Sequence, residues 1–288
     1  MRAGRTHAAL AVLTLVVAAP QAGAATADGR AAERAATWLA GNSAGAPAGQ
    51  QADVIVALHA AGRGRAVLAP RLARLGRDAP PYARTAGAAA KVVMAAVAAG
   101  GDPRRLAGVD YVRRVTSRYA SGRYGATAFD QALSMLAVTA AGDRVPASAI
   151  RATLAARGDG GWSFDLSRSG RDTADATAIV LEALGTAGVR RADPGVRGAV
   201  SWMLAQRNRE GGLNYAGAGR ATEANSTAGA IRALRALGRT PPPTTRAALR
   251  GLQDRDGGIR FTRSAAGSRL LATTDALIAL GDGALSRS

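Results

Sequence analysis

Three short stretches combine arginine, acid and the start of a helical run in a way that could hold a ligand. They are Gly170-Arg171-Asp172 followed by Asp175, Gly219-Arg220 followed by Glu223 and Asn225, and Gly267-Ser268-Arg269 followed by Asp275. Arginines set above helix N-termini can grip an anionic group, because the guanidinium and the unpaired first-turn amides both favour negative charge. The same side chains can instead pair with each other and cap the helices, and spacing alone favours that plainer use.

Other chemistries lack their residues. There is no cysteine, which excludes disulfides, thiolate metal sites, a cysteine nucleophile and a lipidated cysteine. After His7 the one histidine is His59, inside the helical run VIVALHAAG, and it reads as a partly buried helix residue. No G-x-S-x-G elbow accompanies it, so a Ser-His-Asp hydrolase is unsupported. GAGRAT at 217–222 lacks the third glycine and the preceding strand of a dinucleotide loop. The expectation is no metal and no cofactor.

The N-terminus reads as an export signal. Arg2, Arg5 and His7 precede an apolar run over 8–19, and Ala22-Gly23-Ala24 has the small-x-small form of a cleavage site. Residues 1–24 are therefore expected to leave a secreted domain over 25–288. The apolar run is too short for a lasting membrane anchor, and none later is long enough to insert. Net charge falls from +18 to +16 without Arg2 and Arg5. Basic charge suggests acidic polymers, yet the arginines are scattered, Lys91 is the sole lysine, and aromatics are too few for a base-stacking platform. Nucleic acid is not an expected partner.

The elements that must position these residues form a repeat. DGGWSF at 159–164 recurs as EGGLNY at 210–215 and DGGIRF at 256–261, with SGRY at 121–124 as a fainter copy. Successive acids lie 51 and 46 residues apart, the period of a helix-pair array. Each motif follows one helical run and precedes another that ends near glycine, as in DATAIVLEALGTAG. Earlier runs such as DVIVALHAAG and KVVMAAVAAG match these closing helices, giving six pairs that must stack or close into a ring. The pattern is clearest over 108–142, 147–188, 195–238 and 243–283. Within each motif the two glycines (Gly160 and Gly161, Gly211 and Gly212, Gly257 and Gly258) should turn the chain. Side chains two apart in the extended stretch point the same way. Trp162 with Phe164, Leu213 with Tyr215, and Ile259 with Phe261 should then plug the helix ends.

These residues carry a resemblance. Gln253 with Asp256, Gly257, Gly258 and Ile259 matches Q-x-x-D-G-G-W apart from isoleucine for tryptophan, and 159–162 gives D-G-G-W itself. The chain thus resembles the squalene-cyclase and prenyltransferase repeat superfamily, which implies an all-α fold, an α/α toroid of inner and outer helix rings around a central cavity. Class II terpene cyclases of that superfamily protonate an alkene with the central aspartate of D-x-D-D-T-A. TADATA at 173–178 aligns Asp175 with that acid, with Thr173 and Ala176 in the other two acid positions. The zinc site of the prenyltransferases and the complement-type thioester both need cysteine and are absent.

A toroid would gather Arg171, Asp172, Asp175, Arg220, Glu223, Asn225, Arg269 and Asp275 at one rim of the cavity. The leading expectation is a secreted, non-catalytic toroid that binds a small molecule there. One alternative is a terpene cyclase-like enzyme with Asp175 as general acid; another is an extracellular scaffold for a protein or polymer.

Overall fold

Alanine-rich runs punctuated by Thr, Pro and Gly fold as twelve α-helices over residues 26–281, the span described by this computed structural model. Residues 1–24, where the export signal was placed, and the last two residues of the final repeat lie outside the described residues. Six helices form an outer layer: α1 (Ala27–Asn42), α3 (Arg65–Tyr82), α5 (Tyr111–Thr116), α7 (Ala147–Ala155), α9 (Pro194–Ala205) and α11 (Pro243–Arg250). Six form an inner ring: α2 (Ala48–Ala60), α4 (Ala86–Ala98), α6 (Ala128–Ala140), α8 (Ala174–Thr186), α10 (Ala224–Ala236) and α12 (Arg269–Leu280). Each inner helix packs on the next, and α12 packs on α2, so the ring closes. Among the described residues β-structure is limited to isolated bridges. The fold is the all-α toroid, and the first two helix pairs complete it.

Local chemistry explains the elements. Thr85, Thr127 and Thr173 cap α4, α6 and α8 by accepting amides of their first turns. The glycine just past α2, α4, α6, α8 and α10 has left-handed backbone, φ 65–81° for Gly62, Gly100, Gly142 and Gly238 and 85° for Gly188. Proline opens α9 and α11, where its missing N–H costs nothing. Small side chains let inner helices approach closely: a Cβ on Gly185 of α8 would stand 2.7 Å from the Ala236 carbonyl oxygen of α10.

Polar bonds fasten the two chain ends of the ring. Asp28 of α1 pairs with Arg246 and Arg250 of α11. Trp38 Nε1 donates to Asp256, and Gln253 Nε2 donates to the Ala31 carbonyl at 2.9 Å. Gln253, a residue of the repeat motif, thus joins the last repeat to the first helix.

The repeat loops correct part of the expected plug. Trp162, Leu213 and Ile259 are buried as expected. Phe164 and Tyr215 are not: they are 58% and 55% exposed, and Phe261 is half-buried. Only the first large residue of each pair seals the helix ends, because the chain turns outward again before the second. The double glycines serve close approach more than turning. A Cβ on Gly160 would lie 2.0 Å from the Trp202 ring, and one on Gly161 2.1 Å from Thr177 Oγ1. Left-handed backbone is needed at Gly211 and Gly257, with φ of 90° and 95°.

Candidate functional site

The amide of each buried plug residue needs an acceptor, and an inner helix supplies one. Trp162, Leu213 and Ile259 donate N–H to the hydroxyls of Thr177, Thr227 and Thr273 at 3.0, 3.0 and 2.8 Å. Tyr124, in the fainter copy, donates to Gln131 Oε1 at 2.8 Å. These bonds lay the loops across the inner-helix N-termini. Ala128 N–H of α6 donates to the Phe164 carbonyl, and Ala224 N–H of α10 to that of Phe261. The loops therefore form one rim, here called the mouth, around the N-terminal end of the inner ring.

Below the mouth, the repeat register sets which side chains meet. Gly49, Gly87, Phe129, Asp175, Asn225 and Leu271 occupy equivalent first-turn positions. Asp53, Lys91, Leu133, Ile179 and Asp275 come one turn deeper, and Met94, Leu136, Glu182, Arg232 and Ile278 deeper again. On α6 the stripe is apolar, whereas α2, α4, α10 and α12 bring charge.

The deeper charges are paired. Arg232 Nε lies 3.1 Å from Glu182 Oε2, and its Nη1 lies 3.0 Å from Asp275 Oδ1, tying α10 to both neighbours. Asn225 Nδ2 donates to Asp275 Oδ2 at 2.5 Å. Lys91 Nζ meets Asp53 Oδ2 at 2.7 Å. Burial opposes the charge on Arg232, but Glu182 and Asp275 overcome it and raise its pKa. Burial raises the Asp53 pKa despite Lys91. Tyr82 reaches over from α3, where a Cβ on Gly49 would stand 2.7 Å from its hydroxyl.

At the mouth the carboxyls are not paired with cations. Burial raises the pKa of Asp175, with Asp275 adding to the rise and Ser226 and Arg232 opposing it. Burial likewise pushes Glu223 up to about 7, and the neighbouring Asp175 charge pushes the same way. Glu223 is 3% exposed and accepts the Tyr215 amide at 3.2 Å. Asp175 Oδ1 and Ser226 Oγ are buried without a hydrogen-bond partner. Thr173, not Asp175, caps α8, accepting the Ala176 amide at 3.3 Å. Two adjacent carboxyls with raised pKa values can hold a proton at neutral pH and release it to a group placed against them.

Of the eight side chains expected at the rim, the structure brings Asp175, Glu223, Asn225 and Asp275 together. Asp172 is used by its own loop, accepting the amides of Gly160 and Gly161 at 2.9 and 2.8 Å. Arg171 is exposed and donates to the Ala216 carbonyl, and Arg220 is exposed on the next loop. Arg269 is turned toward α1, bonding Asp256 at 2.6 Å and lying 4.9 Å over the Trp38 ring. His59 is half-buried in the last turn of α2.

Sequence reasoning passed over Asp53, Lys91, Glu182 and Arg232. The signal was there: each is a charge inside an otherwise apolar closing helix, and Lys91 is the sole lysine. It also missed that Asp175 has Glu223 as a neighbour, since the two are on different repeats. Among the described residues, no group of three His, Cys, Asp or Glu is placed to hold a metal ion.

No protein-family profile matches the chain, and neither does any curated protein. Solved structures do. The type II terpene cyclase MstE from Scytonema superposes with a TM-score of 0.63 at 14% identity, over 88% of this chain and 97% of that one. A variant of MstE holding its substrate, geranylgeranyl dihydroxybenzoate, gives 0.62 at 14%, over 88% and 96%. The ent-copalyl diphosphate synthase of Streptomyces platensis gives 0.50 at 19% identity, covering 82% of this chain and 50% of the synthase. At such identities the likeness shows the shared toroid fold.

Proposed function

We propose that the chain is an exported, terpene cyclase-like toroid whose mouth carries out proton-initiated chemistry on an isoprenoid alkene. The observation that carries this reading is the Asp175–Glu223 pair: two buried carboxyls with raised pKa values, one of them with an unpartnered oxygen, at the N-terminal end of the inner ring. The terpene cyclase folds of the structural neighbours support it.

In this reading Asp175 gives its proton to one alkene carbon, its O–H bond breaking as a C–H bond forms. The positive charge left on the other carbon is attacked by a neighbouring double bond. Glu223 keeps Asp175 from ionising early, because like charges so close oppose each other. The carboxylates of Asp275 and Glu182 and the Phe129 ring, 5.9 Å from that of Phe164, favour a developing cation. Phe129, Leu133, Leu136 and Ile179 give the hydrocarbon an apolar wall.

A second reading, capture of a ligand without turnover, has its own support. Thr173 and Ala176 stand where a cyclase carries two more acids, and the Arg232 ion pairs cross the polar wall. The test is incubation with geranylgeraniol or squalene and mass spectrometry of the extract. Cyclised product from the wild type, lost in Asp175→Asn with substrate still bound, is expected. Binding with no product from either substrate would favour capture.

A further inference from the structure

The mouth repeats one pattern that proton chemistry does not use. In three successive loops an exposed or half-exposed aromatic is followed by arginine on a tip of small residues: Phe164 with Arg168 and Arg171, Tyr215 with Arg220, and Phe261 with Arg263. Leu271, in the first turn of α12, adds a 38% exposed aliphatic to the same end. Large apolar side chains are normally withdrawn from water, so three of the four large hydrophobics exposed on the described residues gathering at one end is a directional feature.

Positive charge surrounds this apolar rim. Arg168, Arg171 and Arg220 are exposed, and Arg263 is 3.7 Å from Glu210. Asp165, also on the rim, is occupied by its own loop, accepting from Ser163 and Ser167. At the same end, just before α4 and after α5, a cleft of about 640 Å³ is lined by Arg84, Arg114 and Arg118 together with Ala83 and Ser117. Such a cleft suits a phosphate ester, since guanidinium groups bind phosphate through paired hydrogen bonds.

Aromatics that stand out from a rigid frame, ringed by arginines and beside a basic cleft, match the layered chemistry of a lipid surface. Aromatic rings favour the boundary between headgroups and acyl chains, and arginines meet anionic headgroups. We infer that the toroid docks mouth-first on an anionic lipid surface, inserting Phe164, Tyr215 and Phe261 and placing a lipid phosphate in the Arg84–Arg114–Arg118 cleft. Docking leaves the mouth facing the bilayer, so an amphiphile can pass into the ring without crossing water. The inference rests on surface residues alone and stands whether or not the mouth turns a substrate over.

The test is co-sedimentation of the protein with vesicles. Binding is expected to phosphatidylcholine vesicles containing phosphatidylglycerol and to be much weaker with phosphatidylcholine alone. Phe164→Ser with Tyr215→Ser should weaken it by about tenfold or more. Arg84→Glu with Arg118→Glu should do the same and remove the preference for anionic lipid. Because these side chains are exposed, thermal midpoints should stay at the wild-type value, which separates lost docking from lost folding. A wild type that ignores anionic vesicles would overturn the inference, as would aromatic variants that bind like wild type. Equal retention of wild type and aromatic variants on soluble polyphosphate, with no vesicle preference, would identify an anionic polymer instead.

Discussion

The mouth and the deeper lumen use the same kinds of side chain to opposite ends. Deep in the ring, Glu182 and Asp275 share Arg232, and Asp53 has Lys91, so every one of these carboxylates faces a cation across a helix boundary. At the mouth, Asp175 and Glu223 face each other with no cation in contact, and their pKa values rise. A paired charge braces the structure and is hard to titrate; an unpaired carboxyl pair stores a proton. What separates them is whether the adjacent repeat supplies arginine or acid at the matching position.

The largest effect should come from breaking the deep pairs. Arg232→Met would leave Glu182 and Asp275 buried and uncompensated, costing about 3–5 kcal/mol in urea unfolding. Adding Glu182→Gln and Asp275→Asn to the same chain should recover most of that loss. If Arg232→Met unfolds at the wild-type midpoint, the deep network is not a brace.

A loss of similar size, about 3–5 kcal/mol, is expected for Trp162→Ala, which empties a fully buried site and strands the Thr153 carbonyl that Trp162 Nε1 meets at 2.7 Å. Phe164→Ala, two residues away, should change stability by less than about 0.5 kcal/mol because its ring is mostly exposed. Equal losses from the two variants would restore the idea that both residues plug the ring.

At the mouth the effect depends on pH. The folded state holds the Glu223 proton up to about 7, whereas the ordinary value is 4.5. The native chain therefore binds more protons in that window, and stability falls as pH rises through it, by up to roughly 3 kcal/mol. Glu223→Gln should remove that fall and be more stable than wild type above pH 7. Identical pH profiles for the two chains would mean that Glu223 is not held protonated.

The smallest effect is expected where a loop is buttoned to the ring. Thr227→Val removes the acceptor of the Leu213 amide and should cost about 1.5 kcal/mol. It should leave ligand binding unchanged, and a selective loss of binding would move Thr227 into the site.

The ring itself was legible in the sequence, because the alanine-rich runs, their terminal glycines and the repeated G-G-apolar step all encode local geometry. Asp175 could be picked out from TADATA alone. Its environment could not, since Glu223 lies in the next repeat and the pKa of each depends on burial that only the closed ring creates. The arginines misled for a related reason: Arg171, Arg220 and Arg269 hold equivalent loop positions, yet Arg269 turns outward because Trp38 and Asp256 are there to receive it. Exposure of Phe164 and Tyr215 was hidden too, because two-residue alternation says which side chains share a face, not where the chain leaves the core.

The central claim is that the mouth stores a proton, and infrared difference spectroscopy of the carboxyl groups tests it most directly. A band from a protonated carboxyl should be present near neutral pH, disappear with a midpoint close to 7, and be missing from Glu223→Gln at every pH. Its position in the wild type should move in Asp175→Asn, where the neighbouring charge is gone. A wild-type spectrum with all carboxyls ionised by pH 6 would contradict the account, leaving Asp175 and Glu223 as ordinary acids at the end of a ring.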